Sequence, residues 1–309
     1  MAEKKFRLVT RSDFDGLVCA VLLKELNLID EIKFVHPKDM QDGLIDIDDN
    51  DITTNLPYVE GVHIAFDHHL SETLRVEEKE NHIIDPDAPS AARVVYEYYG
   101  GANRFPNVNK EMLEAVDRGD SAQFTQDQVL NPKGWDLMNF LMDARTGLGR
   151  FRDFNISNYQ LMMKLIDLCK DKPIDVIMQD PDVQERSKLY MDQQVLCISQ
   201  LNRCAKVYNN LVVLDLRGEE TIYAGNRFVI YALFPEQNIS IHVMWGVKKQ
   251  NTVFATGKSI FNRSSQTNIG ELMLRYGGGG HKNAGTCQVA NDRAEDVLKE
   301  LIISINADG

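Results

Sequence analysis

Apolar and polar positions divide the chain into two regimes. In the first half, short strand-like runs alternate with stretches of helical pattern. Phe6-Arg7-Leu8-Val9-Thr10 and Ile32-Lys33-Phe34-Val35-His36 read as strands, the second stopped by Pro37. Val62-His63-Ile64-Ala65-Phe66 is nearly all apolar, as expected of a strand buried in a parallel sheet. The apolar stretch Leu17 to Leu23 predicts a helix directly after the first strand. Ser90 to Tyr99 predicts another, with Ser90 as N-cap and Gly100-Gly101 as the stop. Helical pattern recurs at Lys110 to Val116 and at Asn158 to Lys170. Strands alternating with helices predict an α/β domain built on a parallel sheet.

The pattern then changes. Pro173 and Pro181 stand among acidic residues, and a polar-apolar helical run from Val183 to about Asn202 reads as a connector. Beyond it, closely spaced strands are predicted at Leu211 to Leu216, Phe228 to Phe234, Ile239 to Val247 and Thr252 to Gly257. Polar turns such as Pro235-Glu236-Gln237-Asn238 suggest antiparallel hairpins. Helices at Ile269 to Arg275 and Arg293 to Ile305 flank a run of glycines. The expected architecture is an N-terminal parallel-sheet domain over residues 1–180, a connector helix over 181–203, and a smaller α+β domain over 204–309. The second domain should have a mostly antiparallel sheet, with the active cleft between the two domains.

Composition narrows the function. A chain of 309 residues is long for one compact domain and has material for two cores. The formal net charge of −12 argues against a non-specific grip on long duplex nucleic acid. Short anionic substrates remain open, because a bound metal and a few local Arg or Lys can reverse the field. No apolar run reaches the length of a membrane span, and the N-terminal residues lack the apolar core of a signal peptide. Five scattered cysteines without a Cys-x-x-Cys pair read as free thiols in a reducing compartment, so a cytoplasmic protein is expected.

The chemistry gathers at predicted strand ends. Asp67-His68-His69 follows the Val62 to Phe66 strand, and ligands of open α/β sheets lie just beyond such carboxyl ends. Carboxylate and neutral imidazole together suit manganese, iron or zinc; a polar turn is the bland alternative. Asp13 and Asp15 follow the first strand and precede Gly16. One Asp suffices to cap a helix, so the pair points to a further use. Asp46, Asp48, Asp49 and Asp51 crowd the segment before the next strand. Any one could supply a carboxylate, and a solvated acidic loop explains them equally well. Asp117 and Asp120 close a helix whose dipole disfavours acids there. Gly277 to Gly280, followed by His281 and Lys282, serve no evident packing purpose, and exposed N–H groups suit an anion. Arg263 lies shortly upstream as a phosphate or carboxylate clamp. The run fits neither the phosphate loop of nucleotide hydrolases nor a dinucleotide fingerprint.

With these pieces in place, the chain resembles the DHH phosphoesterase superfamily, in the branch with a DHH-associated C-terminal domain that includes exopolyphosphatase-like and oligoribonuclease-like members. The resemblance rests on Asp13-Phe14-Asp15-Gly16, on Asp67-His68-His69, on Gly119-Asp120-Ser121-Ala122-Gln123-Phe124 and on Gly277 to His281. It implies a two-metal phosphoesterase, usually loaded with manganese, magnesium or cobalt being substitutes. By position, the implied metal ligands are Asp13, Asp15, Asp51, Asp67, His68 and Asp120, with Asp120 preferred to Asp117. His68, His69 and Arg11 become the implied catalytic residues. Arg263, Gly278, Gly279, Gly280, His281 and Lys282 become the implied substrate-binding face. Many members carry a His or Asp just before the first Asp pair. Here Arg11 offers no lone pair to a metal, so either one ion is held more weakly or Arg11 contacts the phosphate.

The expected activity is hydrolysis of short anionic substrates by metal-activated water. Short oligonucleotides, linear dinucleotides and nucleotide phosphates are the candidates, with polyphosphate as an alternative. A non-catalytic nucleotide- or phosphate-binding protein with a degraded metal site is the rival from another class. Phe261 and Tyr276 could stack bases, though a core role fits them better. No membrane partner is expected, and a homodimer is compatible with the sequence.

Overall fold

The computed structural model describes residues 4–309. Its first elements are β1 (Phe6–Arg11), α1 (Phe14–Glu25), β2 (Ile29–Val35), α2 (Pro37–Gln41), β3 (Asp51–Thr54), β4 (Ile64–Asp67), α3 (Leu70–Arg75) and β5 (His82–Ile84). Then come α4 (Ala91–Tyr98), α5 (Lys110–Asp120), α6 (Gln126–Leu130), α7 (Gly134–Met142), α8 (Asn158–Asp171), α9 (Ile174–Ile177) and α10 (Pro181–Cys204). The chain closes with β6 (Ala205–Tyr208), β7 (Leu211–Asp215), α11 (Val229–Leu233), β8 (Ile239–Trp245), β9 (Thr252–Lys258), α12 (Ile269–Leu274), β10 (Gly279–His281), β11 (Ala284–Val289) and α13 (Ala294–Asp308). The chain forms two compact units. One comprises the residues up to Gln123 together with Pro132–Leu189, and the other Phe124–Asn131 with Tyr190–Gly309.

The first unit is built on a five-stranded, all-parallel sheet in the order β2-β1-β3-β4-β5. Residues 14–23 of α1 are buried in succession, which explains an apolar run with no polar face. In a sheet of this order the strand order reverses between β1 and β3. That switch point is where open α/β sheets leave a crevice beyond their carboxyl ends.

The second unit holds a six-stranded sheet in the order β10-β11-β9-β8-β7-β6. Its pairs are antiparallel except β7 with β8, which run parallel. Leu211, Val213, Ile239, Ile241 and Phe254 form its core with Leu301 and Ile305 of α13. The predicted strand at Phe228 to Phe234 is instead α11. A continuous apolar run has no period that separates strand from helix. The parallel β7–β8 pair needs a crossover between its strands, and α11 lies in that connection. Among the described residues, no helix is long and apolar enough to cross a membrane. All five cysteines are free thiols.

Candidate metal centre

The turn after β1 is shaped by Asp13 and Gly16. Asp13 has extended backbone and caps α1 by accepting the Gly16 N–H at 3.0 Å. A Cβ on Gly16 would lie 2.0 Å from the Arg11 carbonyl oxygen, so only glycine lets the helix start this close to the strand. Asp15 then falls in the first turn, 2% exposed. Its carboxylate accepts the backbone N–H groups of Ala91 at 3.0 Å and Ala92 at 2.8 Å, at the start of α4. These donors fix the carboxylate orientation. Burial, followed by the nearby Asp120 charge, still pushes its pKa up to about 7.

Asp15, His68 and Asp120 come together from three different elements. One ligand atom from each lies within 4.8 Å of the others. His68 directs Nδ1 at the Ala88 carbonyl oxygen, 3.2 Å away, which leaves Nε2 facing the carboxylates. Nε2 stands 2.8 Å from Asp120 Oδ2, close enough for an ion pair, yet has no aligned hydrogen-bond partner. Burial works against charge on the His68 ring, but Asp120 and Asp15 outweigh it and raise its pKa to about 9. Asp120 is held below the usual carboxylate range because His68 outweighs the opposing effect of burial.

Asp117 is engaged elsewhere. It accepts the Ser90 hydroxyl at 2.7 Å and Nε of Arg93 at 3.0 Å, tying α5 to the cap of α4. Of the two acids at the end of α5, only Asp120 joins the cluster.

Asp67 ends β4 and is 1% exposed. Its Oδ1 lies 2.7 Å from His69 Nδ1, and its Oδ2 is buried without a hydrogen-bond partner. His69 is half-exposed and its pKa is raised, first by that contact with Asp67.

Asp13 has a different setting. Arg11 Nε lies 2.9 Å from its Oδ2. Asn55 Nδ2 reaches both its oxygens, at 3.4 and 3.5 Å. Asn55 follows β3 in left-handed conformation (φ 55°), and its own Oδ1 is buried and unpartnered. Burial raises the pKa of Asp13, and Arg11 opposes the rise.

Asp51 is not brought to this site, which corrects its expected place among the metal ligands. It opens β3, at the amino end, where Arg7 holds it through Nε at 2.6 Å and the terminal nitrogen at 2.8 Å. Three residues of extended chain, about 10 Å, separate it from the carboxyl end. The residue that does reach the site from β3 is Asn55. It carries no charge, so a search for acids passes over it.

Arg145 is a second residue without a sequence signal. With Asp13, Asp15, Asp120 and Asp143 it lines a recess at the cluster. Asp143 Oδ1 anchors its Nε at 2.7 Å.

The glycine run lies in the second unit and has a packing purpose after all. β10 pairs with β11 at the sheet edge. A Cβ at Gly278 would lie 2.1 Å from the Thr286 carbonyl oxygen, and one at Gly280 2.3 Å from that of Ala284. Gly280 also takes φ 153°. Gly279, Gly280, His281 and Lys282 remain exposed on this hairpin. Burial and the charge of Lys282 lower the pKa of Lys258, so the two ammonium groups share a field. Arg263 is exposed and donates Nε to the Ile260 carbonyl at 3.1 Å. Tyr276 packs on the second core and donates its hydroxyl to Glu300 at 3.1 Å. Phe261 is half-buried.

The donor set suits a divalent cation. Two carboxylates and one imidazole nitrogen converge, with a ligand atom of each within 4.8 Å of the others. The Ala88 contact fixes the ring as metal-binding histidines are usually fixed.

No family model matches the chain, and no curated protein matches it. Among solved structures, one described as the pGpG-specific phosphodiesterase PggH from Vibrio cholerae shares 66% identity, with a TM-score of 0.91. That match covers 99% of this chain and 100% of the other. RecJ from Thermus thermophilus, in complex with Mn2+, matches at 14% identity and TM-score 0.55, over 98% of this chain and 52% of its own. CDC45 from Entamoeba histolytica matches at 10% identity and TM-score 0.53, over 98% of this chain and 96% of its own. The last two show a shared fold.

Proposed function

The chain belongs to the DHH phosphoesterase superfamily, and we propose that it hydrolyses the phosphodiester bond of the linear guanine dinucleotide pGpG. Full-length identity of 66% to a phosphodiesterase described as specific for pGpG carries this reading. The Asp15–His68–Asp120 cluster supports it with a place for a metal. Polyphosphate would call for a basic channel, which a chain of net charge −12 does not advertise.

Asp15, His68 and Asp120 would hold one divalent ion, which we take to be manganese, a metal that accepts carboxylate and imidazole together, with magnesium or cobalt as substitutes. When bound, such an ion supplies Lewis-acid polarisation of the phosphoryl group and lowers the pKa of water. The remaining work falls to the chain. The α4 N–H groups keep the Asp15 carboxylate aimed. Arg145 at the recess, and Arg11 beside Asp13, offer guanidinium groups to phosphoryl oxygens, where developing negative charge must be neutralised. His69 turns Nδ1 to Asp67 and so leaves Nε2 outward, placed to hand a proton to the leaving oxygen.

We take one ion as the resting complement. Asp13 is neutralised by Arg11 and bonded by Asn55. A second cation would have to displace both. We assign catalysis to residues 1–180 and substrate holding to 204–309, with 181–203 as connector. In the second region, Gly278 to Gly280, His281, Lys282 and Arg263 are the groups we assign to substrate binding.

A manganese-supplemented substrate panel tests the function. The expected result is conversion of pGpG to GMP, with polyphosphate and long RNA left intact. An unchanged pGpG pool would refute the proposal.

A further inference from the structure

A second pocket adjoins the metal recess within the first unit. Leu141, Met142, Leu148, Phe154 and Met162 give it apolar walls, and Asp143 and Arg186 add polar groups. Asp143 lines both this pocket and the metal recess, and Ser12, next to Asp13, lines the pocket as well.

Arg186 is an unusual wall. It is 2% exposed, among the largest fully buried side chains of the protein. One terminal nitrogen donates to the Ile156 carbonyl at 2.6 Å and the other to that of Asp182 at 3.2 Å. Its guanidinium lies 4.1 Å from the Phe154 ring centroid. Its Nε is buried with no hydrogen-bond partner. A buried N–H of a charged group left unpaired is costly, and a ligand acceptor in the pocket would satisfy it.

We propose that this pocket receives a guanine base of the substrate, with Arg186 as the group that reads it. The proposal rests on the phosphodiesterase reading above for the phosphate that the base accompanies. The chemistry selects the ligand. Apolar and thioether walls suit a flat π face and do not suit a bare phosphate. A guanidinium donates to O6 or N7 of guanine. Asp143 lies on the same walls, and a carboxylate has acceptor capacity for the guanine N1–H and amino group. Adenine would turn its amino donor toward Arg186 and offer no N1–H to the acid.

Binding of GMP, AMP and ribose 5-phosphate to the full-length protein in manganese, read by calorimetry, tests this directly. GMP is expected to bind about tenfold or more tightly than AMP and ribose 5-phosphate, the scale of one hydrogen bond to a charged group. Gly149 lines the pocket, and a Cβ there meets nothing within 4 Å, so the backbone accepts a side chain and Gly149→Trp sets an indole at the pocket wall. It should reduce GMP affinity to that of ribose 5-phosphate. Arg186→Lys should erase the preference for GMP over AMP; if its loss of the Ile156 and Asp182 contacts unfolds the chain, Gly149→Trp still decides. Wild-type GMP affinity in Gly149→Trp, or equal GMP and ribose 5-phosphate affinity in the wild type, would overturn the pocket assignment. Selective GMP binding without pGpG hydrolysis would uphold the pocket and count against the enzyme reading alone.

Discussion

His68 presents Nε2 to Asp120 Oδ2 at 2.8 Å, while its other ring nitrogen is tied to the Ala88 carbonyl. The ring therefore cannot turn away from the acid without losing a bond. Asp15, aimed by the start of α4, completes a three-sided donor set. Replacing His68 by Ala should cut manganese affinity at least ~10-fold, since even residues that only support metal ligands are worth about 10–100-fold. Equilibrium dialysis against manganese measures it; unchanged affinity would remove His68 from the ligand set.

Asp13 is surrounded by Arg11 and Asn55, so the wild type should take up one manganese per chain. The double variant Arg11→His, Asn55→Asp should take up two, because a cation gives way to a group with a lone pair and a neutral amide to a carboxylate. Metal analysis after desalting counts them. Two tightly held ions in the wild type would contradict this view of Asp13.

Gly16 lets α1 begin against the Arg11 carbonyl. A methyl group 2.0 Å from that oxygen must move the turn that carries Asp13 and Asp15. Gly16→Ala should lower stability by about 1–3 kcal/mol and weaken manganese binding together. Urea unfolding and dialysis on the same sample check both, and a variant that keeps wild-type values in each would show that the turn can shift freely.

His242 on β8 is kept neutral by burial, its pKa lowered to about 4. The unfolded chain takes up this proton near pH 6.5, whereas the folded chain resists until about pH 4. Stability from this group is therefore complete above pH 6.5 and falls as pH drops toward 4, by on the order of 3 kcal/mol. His242→Gln should flatten the acid side of a plot of unfolding free energy against pH. An unchanged slope would mean that another group sets it.

Some of this was legible in the residues alone. The β1–turn–α1 unit declares itself through an apolar strand, two acids, a glycine and an apolar helix. The two-unit division of strand pattern follows from the change of spacing after α10. Other features depend on three-dimensional neighbours. Asn55 matters only because β3 ends beside β1, and an uncharged amide gives no warning of that. Asp51 looks like the better candidate by chemistry, yet stands at the wrong end of its strand with Arg7. Phe228 to Leu233 has no period, so only the parallel β7–β8 pairing decides its form. The glycine run reads as a binding loop, while the close approach of β11 that also demands glycine is invisible before folding.

The central claim is metal-dependent cleavage of a guanine dinucleotide at Asp15, His68 and Asp120. Its most direct test is chromatography of pGpG after incubation with metal-stripped protein, with and without manganese, in the wild type and in Asp120→Asn. GMP should form only with manganese, at a rate reduced at least ~10-fold in the variant. GMP formation at the wild-type rate by Asp120→Asn, or none by the manganese-loaded wild type, would contradict the account.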